Sequence, residues 1–164
     1  MPQFKPLLFS PETEFTIDTD VDGGYILSTA LAESGDSNCI VTLDCTLAQI
    51  MNAPFGTFEF AFAISESFND DGELGFSTQD REIAKALIPG ESKPYVMETV
   101  QNALRFLVME VQPDAIYRVT KAGRLPVKAM AKHELLTETL QSMGYGIVDS
   151  GTDGFERRWW MMHR

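Results

Sequence analysis

Between Thr57 and Ile64 the chain alternates strictly, with Phe58, Phe60, Phe62 and Ile64 on one side and Thr57, Glu59, Ala61 and Ala63 on the other. A period of two marks a strand whose faces meet different surroundings. Burying each large apolar side chain is worth roughly 1.5–3 kcal/mol, so such an aromatic face needs a cover. The obvious cover is the segment from Tyr95 to Val111, where Val96, Val100, Ala103, Leu104, Leu107, Val108 and Val111 recur at spacings of three and four. That spacing predicts a helix with one buried face, its other side carrying Glu98, Gln101, Arg105 and Glu110. Ser92 is placed to cap its start, Pro94 suits its first turn, and Gln112-Pro113 stops it.

Downstream, Ala115 to Thr120 is short, β-branched and aromatic, which predicts a strand. Lys121 to Leu125 reads as a basic turn. A second helix is predicted from Pro126 to Met143, with Leu136, Leu140 and Met143 sharing a face and Gly144 as a left-handed C-terminal cap. A hairpin then follows: strand Tyr145 to Asp149, turn Ser150 to Gly154, strand Phe155 to Met162.

Upstream, Phe15 and Ile17 alternate with polar residues, and Asp22-Gly23-Gly24 leads into Tyr25, Leu27 and Thr29, a hairpin signature. A loop is expected over Leu31 to Ser37, a strand over Asn38 to Thr46, a helical turn over Leu47 to Met51, and a short helix over Asp80 to Leu87 capped by Ser77 or Thr78. Cys39 and Cys45 are the only cysteines. Six residues of strand hold them about 20 Å apart, too far for a disulfide, so two buried thiols are expected. Neither they nor the two histidines have zinc-ligand spacing.

Val111-Gln112-Pro113-Asp114-Ala115-Ile116-Tyr117, then His133-Glu134-Leu135-Leu136-Thr137, then Met143-Gly144-Tyr145 and a hairpin of large residues together resemble the C-terminal half of the GNAT N-acetyltransferase superfamily, over about Thr57 to Arg164. The resemblance implies a cradle for the pyrophosphate of acetyl-CoA at the N-terminus of the first helix. Ser92 and Lys93, with Arg124 from the basic turn, are the cofactor-binding candidates. The approach Leu87-Ile88-Pro89-Gly90-Glu91-Ser92-Lys93-Pro94 departs from the family's glycine-rich loop, since its prolines remove N–H donors and Glu91 repels phosphate. Leu140 occupies the place of the family's acid tyrosine. Glu59 or the nearby Glu66 is the candidate base and His133 the candidate acid, each weighed against an ordinary structural role. The family's paired N-terminal helices are replaced here by a strand meander.

Charge is divided unevenly: residues 1–92 hold 16 acidic and 3 basic side chains, residues 93–164 hold 8 and 10. A net charge of −11 opposes direct binding to nucleic acid. The acidic half reads as a solvated face, as a surface for a basic partner, or as a mimic of nucleic acid. Arg118, Lys121, Arg124, Lys128 and Lys132 read as a solvated basic edge, or as a site for phosphates or for the acidic surface of a second copy. Trp159-Trp160-Met161-Met162 is apolar on both strand faces, so one tryptophan is expected in the core and the other at an interface.

The expected fold is therefore one α+β domain over residues 1–164, a GNAT-like mixed sheet with an N-terminal strand meander, two main helices and a C-terminal β-hairpin. The expected role is binding, as a homodimer or with a basic protein, in the cytoplasm and without a membrane. The alternatives are an acetyl-CoA-dependent N-acetyltransferase and an acidic inhibitor that imitates nucleic acid.

Overall fold

The structure is a computed structural model, and it describes residues 5–6, 15–33, 39–70, 73–74, 88, 90–121, 123 and 125–164. It is α+β, built on a mixed sheet and two helices. The strands are β1 (Lys5–Pro6), β2 (Ile17–Thr19), β3 (Tyr25–Glu33), β4 (Cys39–Gln49), β5 (Thr57–Asp70), β6 (Glu73–Leu74), β7 (Ala115–Val119), β8 (Gly146–Thr152) and β9 (Arg158–His163). The helices are α1 (Lys93–Val111) and α2 (Val127–Ser142). Strand order is β1-β3-β4-β5-β7-β9-β8, with β2 also on β3 and β6 also on β5. Among the described residues only β5 and β7 pair in parallel, because α1 returns the chain across the sheet between them.

The aromatic face of β5 is covered as its sequence requires. Phe58 and Phe60 are buried, and α1 places Val96, Val100, Ala103, Leu104, Leu107 and Val108 in the same core. Register continues that face through Leu47, Cys45 and Leu43 of β4 and Leu27 of β3, all fully buried. On the other side it passes from Phe58 to Ile116 and Met162. The second helix lies on the same side, since the Gln101 amide on α1 donates to the Thr139 hydroxyl on α2 at 3.0 Å. Among the described residues neither helix covers the opposite face.

Several local expectations need correction. The strand β3 runs on to Glu33 through a bulge at Ala30/Ala32, where a loop was expected. Residues 47–49 continue β4 rather than turning into a helix, because Gln49, Ala48 and Leu47 pair with Phe58, Glu59 and Phe60. Ser92 precedes α1 in a helical conformation and makes no side-chain cap bond; the entry is instead a 3-10 turn, Gly90–Ser92. The final turn spans residues 153–157, so Phe155 sits at an exposed tip and not in a strand. The short helix expected over residues 80–87 lies outside the described residues.

Other local expectations hold. Gly23 takes the left-handed φ of +80° in the hairpin between β2 and β3. Gly144, at φ +95°, ends α2: its N–H donates to the Gln141 carbonyl and that of Tyr145 to the Leu140 carbonyl, the paired bonds of a Schellman cap. The Tyr145 hydroxyl then donates to the Pro113 carbonyl at 2.5 Å, fastening the end of α2 to the start of β7. None of the described helices is long and apolar enough to cross a membrane.

The parallel pair is closed at one point. The Gly56 carbonyl accepts from the N–H groups of both Asp114 and Ala115, at 2.9 and 3.2 Å. Gly56 has a φ of +85°, and a Cβ there would lie 2.3 Å from an Asp114 carboxylate oxygen. Gly56→Ala is expected to lower the unfolding free energy by about 1–2 kcal/mol through its backbone conformation alone, with a further loss from displacing Asp114. Urea denaturation measures this. Adding Asp114→Ala should recover only the second part, and an unshifted midpoint would remove the constraint assigned to this turn.

Candidate functional site

Thr57, Phe58 and Glu59 pair with Ala115, Ile116 and Tyr117, and there the parallel ladder stops. Both strands continue, β5 to Asp70 and β7 to Val119, so they part after the Glu59–Tyr117 rung. From Phe60 to Phe68 the β7-side edge of β5 has no strand partner among the described residues. Backbone donors and acceptors along such a gap can be satisfied by water or by an extended ligand. The first helix, about 28 Å long, ends beside Gly56 and the closed rungs, so its start, with Ser92 and Lys93, lies away from them. Lys93 is exposed and Ser92 half-buried. Arg124, the third cofactor-binding candidate, lies outside the described residues.

On the face away from the helices, the last rung presents Glu59 beside Tyr117, whose ring lies 6.3 Å from that of Trp159. Burial first, and the Glu59 carboxylate second, push the Tyr117 phenol above its ordinary range, so it is neutral at pH 7. The hairpin tip adds an ion pair, Arg157 Nε to Asp153 at 2.7 Å. Glu66 lies seven residues further along β5, past the separation of the strands; its side chain is outside the described residues.

On the helix-covered face stands a different group. Arg118 is only 2% exposed, which corrects its reading as part of a solvated basic edge. Its guanidinium donates to the His133 carbonyl at 3.1 Å and to the Thr137 hydroxyl, and lies 4.9 Å over the Trp160 ring. Among the described residues no carboxylate pairs with it, and Nε is buried without a partner. Burial lowers its pKa to about 10, so it keeps its charge at pH 7. The His133 ring stacks on Trp160 at 5.6 Å, with Nδ1 also buried and unpartnered. Burial, then Arg118 and Lys132, lower its pKa to about 4. At neutral pH it is an uncharged imidazole and not an imidazolium acid.

Strand alternation thus sends the candidate residues to opposite sides of the sheet: Glu59 and Tyr117 to the open face, His133 and Arg118 to the covered one. The two tryptophans divide in the same way, Trp160 buried beneath α2 and Trp159 half-buried on the open face. Cys45 is buried and its thiol is pushed up to about 12 by burial and by Asp44, so it stays protonated; the side chain of Cys39 is outside the described residues. Among the described residues no group of three or more His, Cys, Asp or Glu side chains could hold a metal ion. Sequence reasoning missed Tyr117 as the neighbour of Glu59, because register across a 44-residue crossover, residues 71–114, is written in no local pattern.

The His133 environment has a pH signature. Its ordinary pKa of 6.5 applies to the unfolded chain and about 4 to the folded one. Between these values the unfolded chain binds a proton that the folded chain lacks, so stability falls as pH drops from 6.5 towards 4. Because the ring is partly exposed, the loss after screening is expected to be about 1–2 kcal/mol. Urea denaturation at about pH 7 and pH 4.5 should show a smaller acid-induced loss in His133→Phe, which keeps the stack on Trp160 but cannot titrate. Equal losses in the two proteins would mean that His133 titrates normally.

Compared with family models, with curated proteins and with solved structures, the chain has no match.

Proposed function

We propose that this chain is a GNAT-like domain that works by binding another protein rather than by standard acetyl transfer. The order α1-β7-α2-β8-β9 supports the likeness, since it is the helix-strand-helix-hairpin succession on which the resemblance rests. One observation carries the second part. The base candidate Glu59 and the acid candidate His133 lie on opposite faces of one sheet, and His133 is neutral with Nδ1 buried. General acid–base catalysis needs both groups within hydrogen-bond reach of the same reacting atoms. The start of α1 adds to this: Pro94 offers no N–H, and Glu91 places a negative charge where phosphate would have to sit.

An acetyl-CoA-dependent N-acetyltransferase is the second reading, favoured by the parting of β5 and β7 just beyond Glu59. In that reading Glu59 is the base and the neutral Tyr117 phenol beside it can supply a proton. Calorimetric titration with acetyl-CoA separates the two. The binding reading expects no saturable heat up to about 1 mM cofactor, a concentration at which even a free energy of only about −4 kcal/mol would register. Saturable binding near 1 μM, with amine-dependent release of CoA that Glu59→Gln abolishes, would replace it with the enzyme reading.

A further inference from the structure

Ten large hydrophobic side chains are exposed among the described residues, and the five most exposed fall at two places only. Val21 (101%), Met51 (87%) and Phe55 (92%) project from the β2–β3 turn and the β4–β5 loop. These connections are neighbours at one end of the sheet: Tyr25 pairs with Leu47, Gly23 lies against Gln49, and Phe55 adjoins Gly56 beside Asp114. Val127 (87%) and Phe155 (79%) project from the start of α2 and from the β8–β9 tip. Both lie at the other end of β7, where Gly123, four residues before Val127, approaches the Phe155 carbonyl so closely that a Cβ would lie 2.6 Å from it.

Charge divides along the same line. The first end carries Asp20, Asp22, Glu110 and Asp114, with Arg164 at 3.7 Å from Asp114. The second carries Lys121, Lys128, Arg157 and Arg158 against Asp153, which Arg157 binds, and Glu156, and so stays net positive. Isolated exposed hydrophobic residues are ordinary. Fully exposed ones gathered at two ends of opposite charge form a complementary pair of surfaces on a single chain.

We infer that the occupant of the acidic, apolar end is a second copy of this chain, docking through the basic end defined by Lys121, Lys128, Val127 and Phe155. Apolar tips meet apolar tips, and each carboxylate end faces ammonium and guanidinium groups, whereas acidic end on acidic end would repel. The contact joins two different patches, so association continues from copy to copy unless the rotation closes it. This goes beyond the binding reading above and does not depend on it, since self-association leaves the acetyl-CoA question untouched.

The test is analytical ultracentrifugation of the full chain from about 1 μM to about 1 mM, at ~50 mM and ~500 mM salt. Wild type should gain mass with concentration at low salt, and lose at least about tenfold in affinity at high salt. Asp22→Lys with Glu110→Lys, which leaves the turn-forming carboxylate of Asp20 in place, should be monomeric. Lys121→Glu with Lys128→Glu should be monomeric as well. An equimolar mixture of the two variants should associate again, because each reversed end then meets an opposite one. Circular dichroism and thermal midpoints of each variant verify the fold. A wild type that is monomeric throughout, variants that associate like wild type, or a mixture that stays monomeric would each overturn the proposal. Uptake of a monomeric wild type by polylysine or by phosphatidylcholine vesicles would assign the acidic end to a basic protein or to a membrane instead, and would overturn the self-contact.

Discussion

The cover that α1 provides for the aromatic side of β5 is the interaction on which the rest of the structure depends. Phe58 and Phe60 cannot be buried by a neighbouring strand, because strands add width to a sheet and not thickness. Only an element crossing over the face can remove them from water, and α1 does so with eight buried residues. Once α1 lies there, the chain emerges beside Gly56, and β7 must enter parallel to β5. The second helix is then held against α1 through Gln101 and Thr139, and the C-terminal hairpin extends the sheet on the far side of β7.

Such a two-layer arrangement gives the sheet two faces of different character. The covered one is mostly apolar, and Arg118 enters it as a buried charge. A buried guanidinium with no carboxylate costs several kcal/mol before compensation. The compensation is visible: a helix carbonyl, a threonine hydroxyl and an indole face, together with a histidine ring kept uncharged against it. This cluster clamps α2 to β7 and β9. The open face holds Glu59, Tyr117 and Trp159, polar and aromatic groups within reach of solvent or of a ligand, next to the parallel rungs of β5 and β7.

Binding and catalysis make different demands on these faces. An acid and a base serving one reaction have to share a side of the sheet, and residues an odd number of places apart on one strand cannot do so, nor can their in-register neighbours. Tyr117 and Arg118 are adjacent in sequence, yet one faces Glu59 and the other His133. The scaffold therefore offers an aromatic–carboxylate surface on one side and a structural cation on the other.

Much of the architecture was legible in the chain itself. The strict alternation of β5, the three–four spacing of α1, Gly23 in the first hairpin and Gly144 after α2 are local patterns with local causes, so composition and period were enough to find them. Strand ends at Glu33 and Gln49 were not legible, because pairing with a distant strand, not local propensity, carries them past where the pattern weakens. The burial of Arg118 was equally hidden: an arginine in a short strand reads as solvated until a helix 15 residues away is laid over it. The sequence by itself determined which segments must be buried, since hydrophobic period is a property of neighbours in the chain. Only the tertiary structure decided that Glu59 meets Tyr117 and not His133, since cross-strand register and the choice of face are set by contacts between residues far apart in sequence.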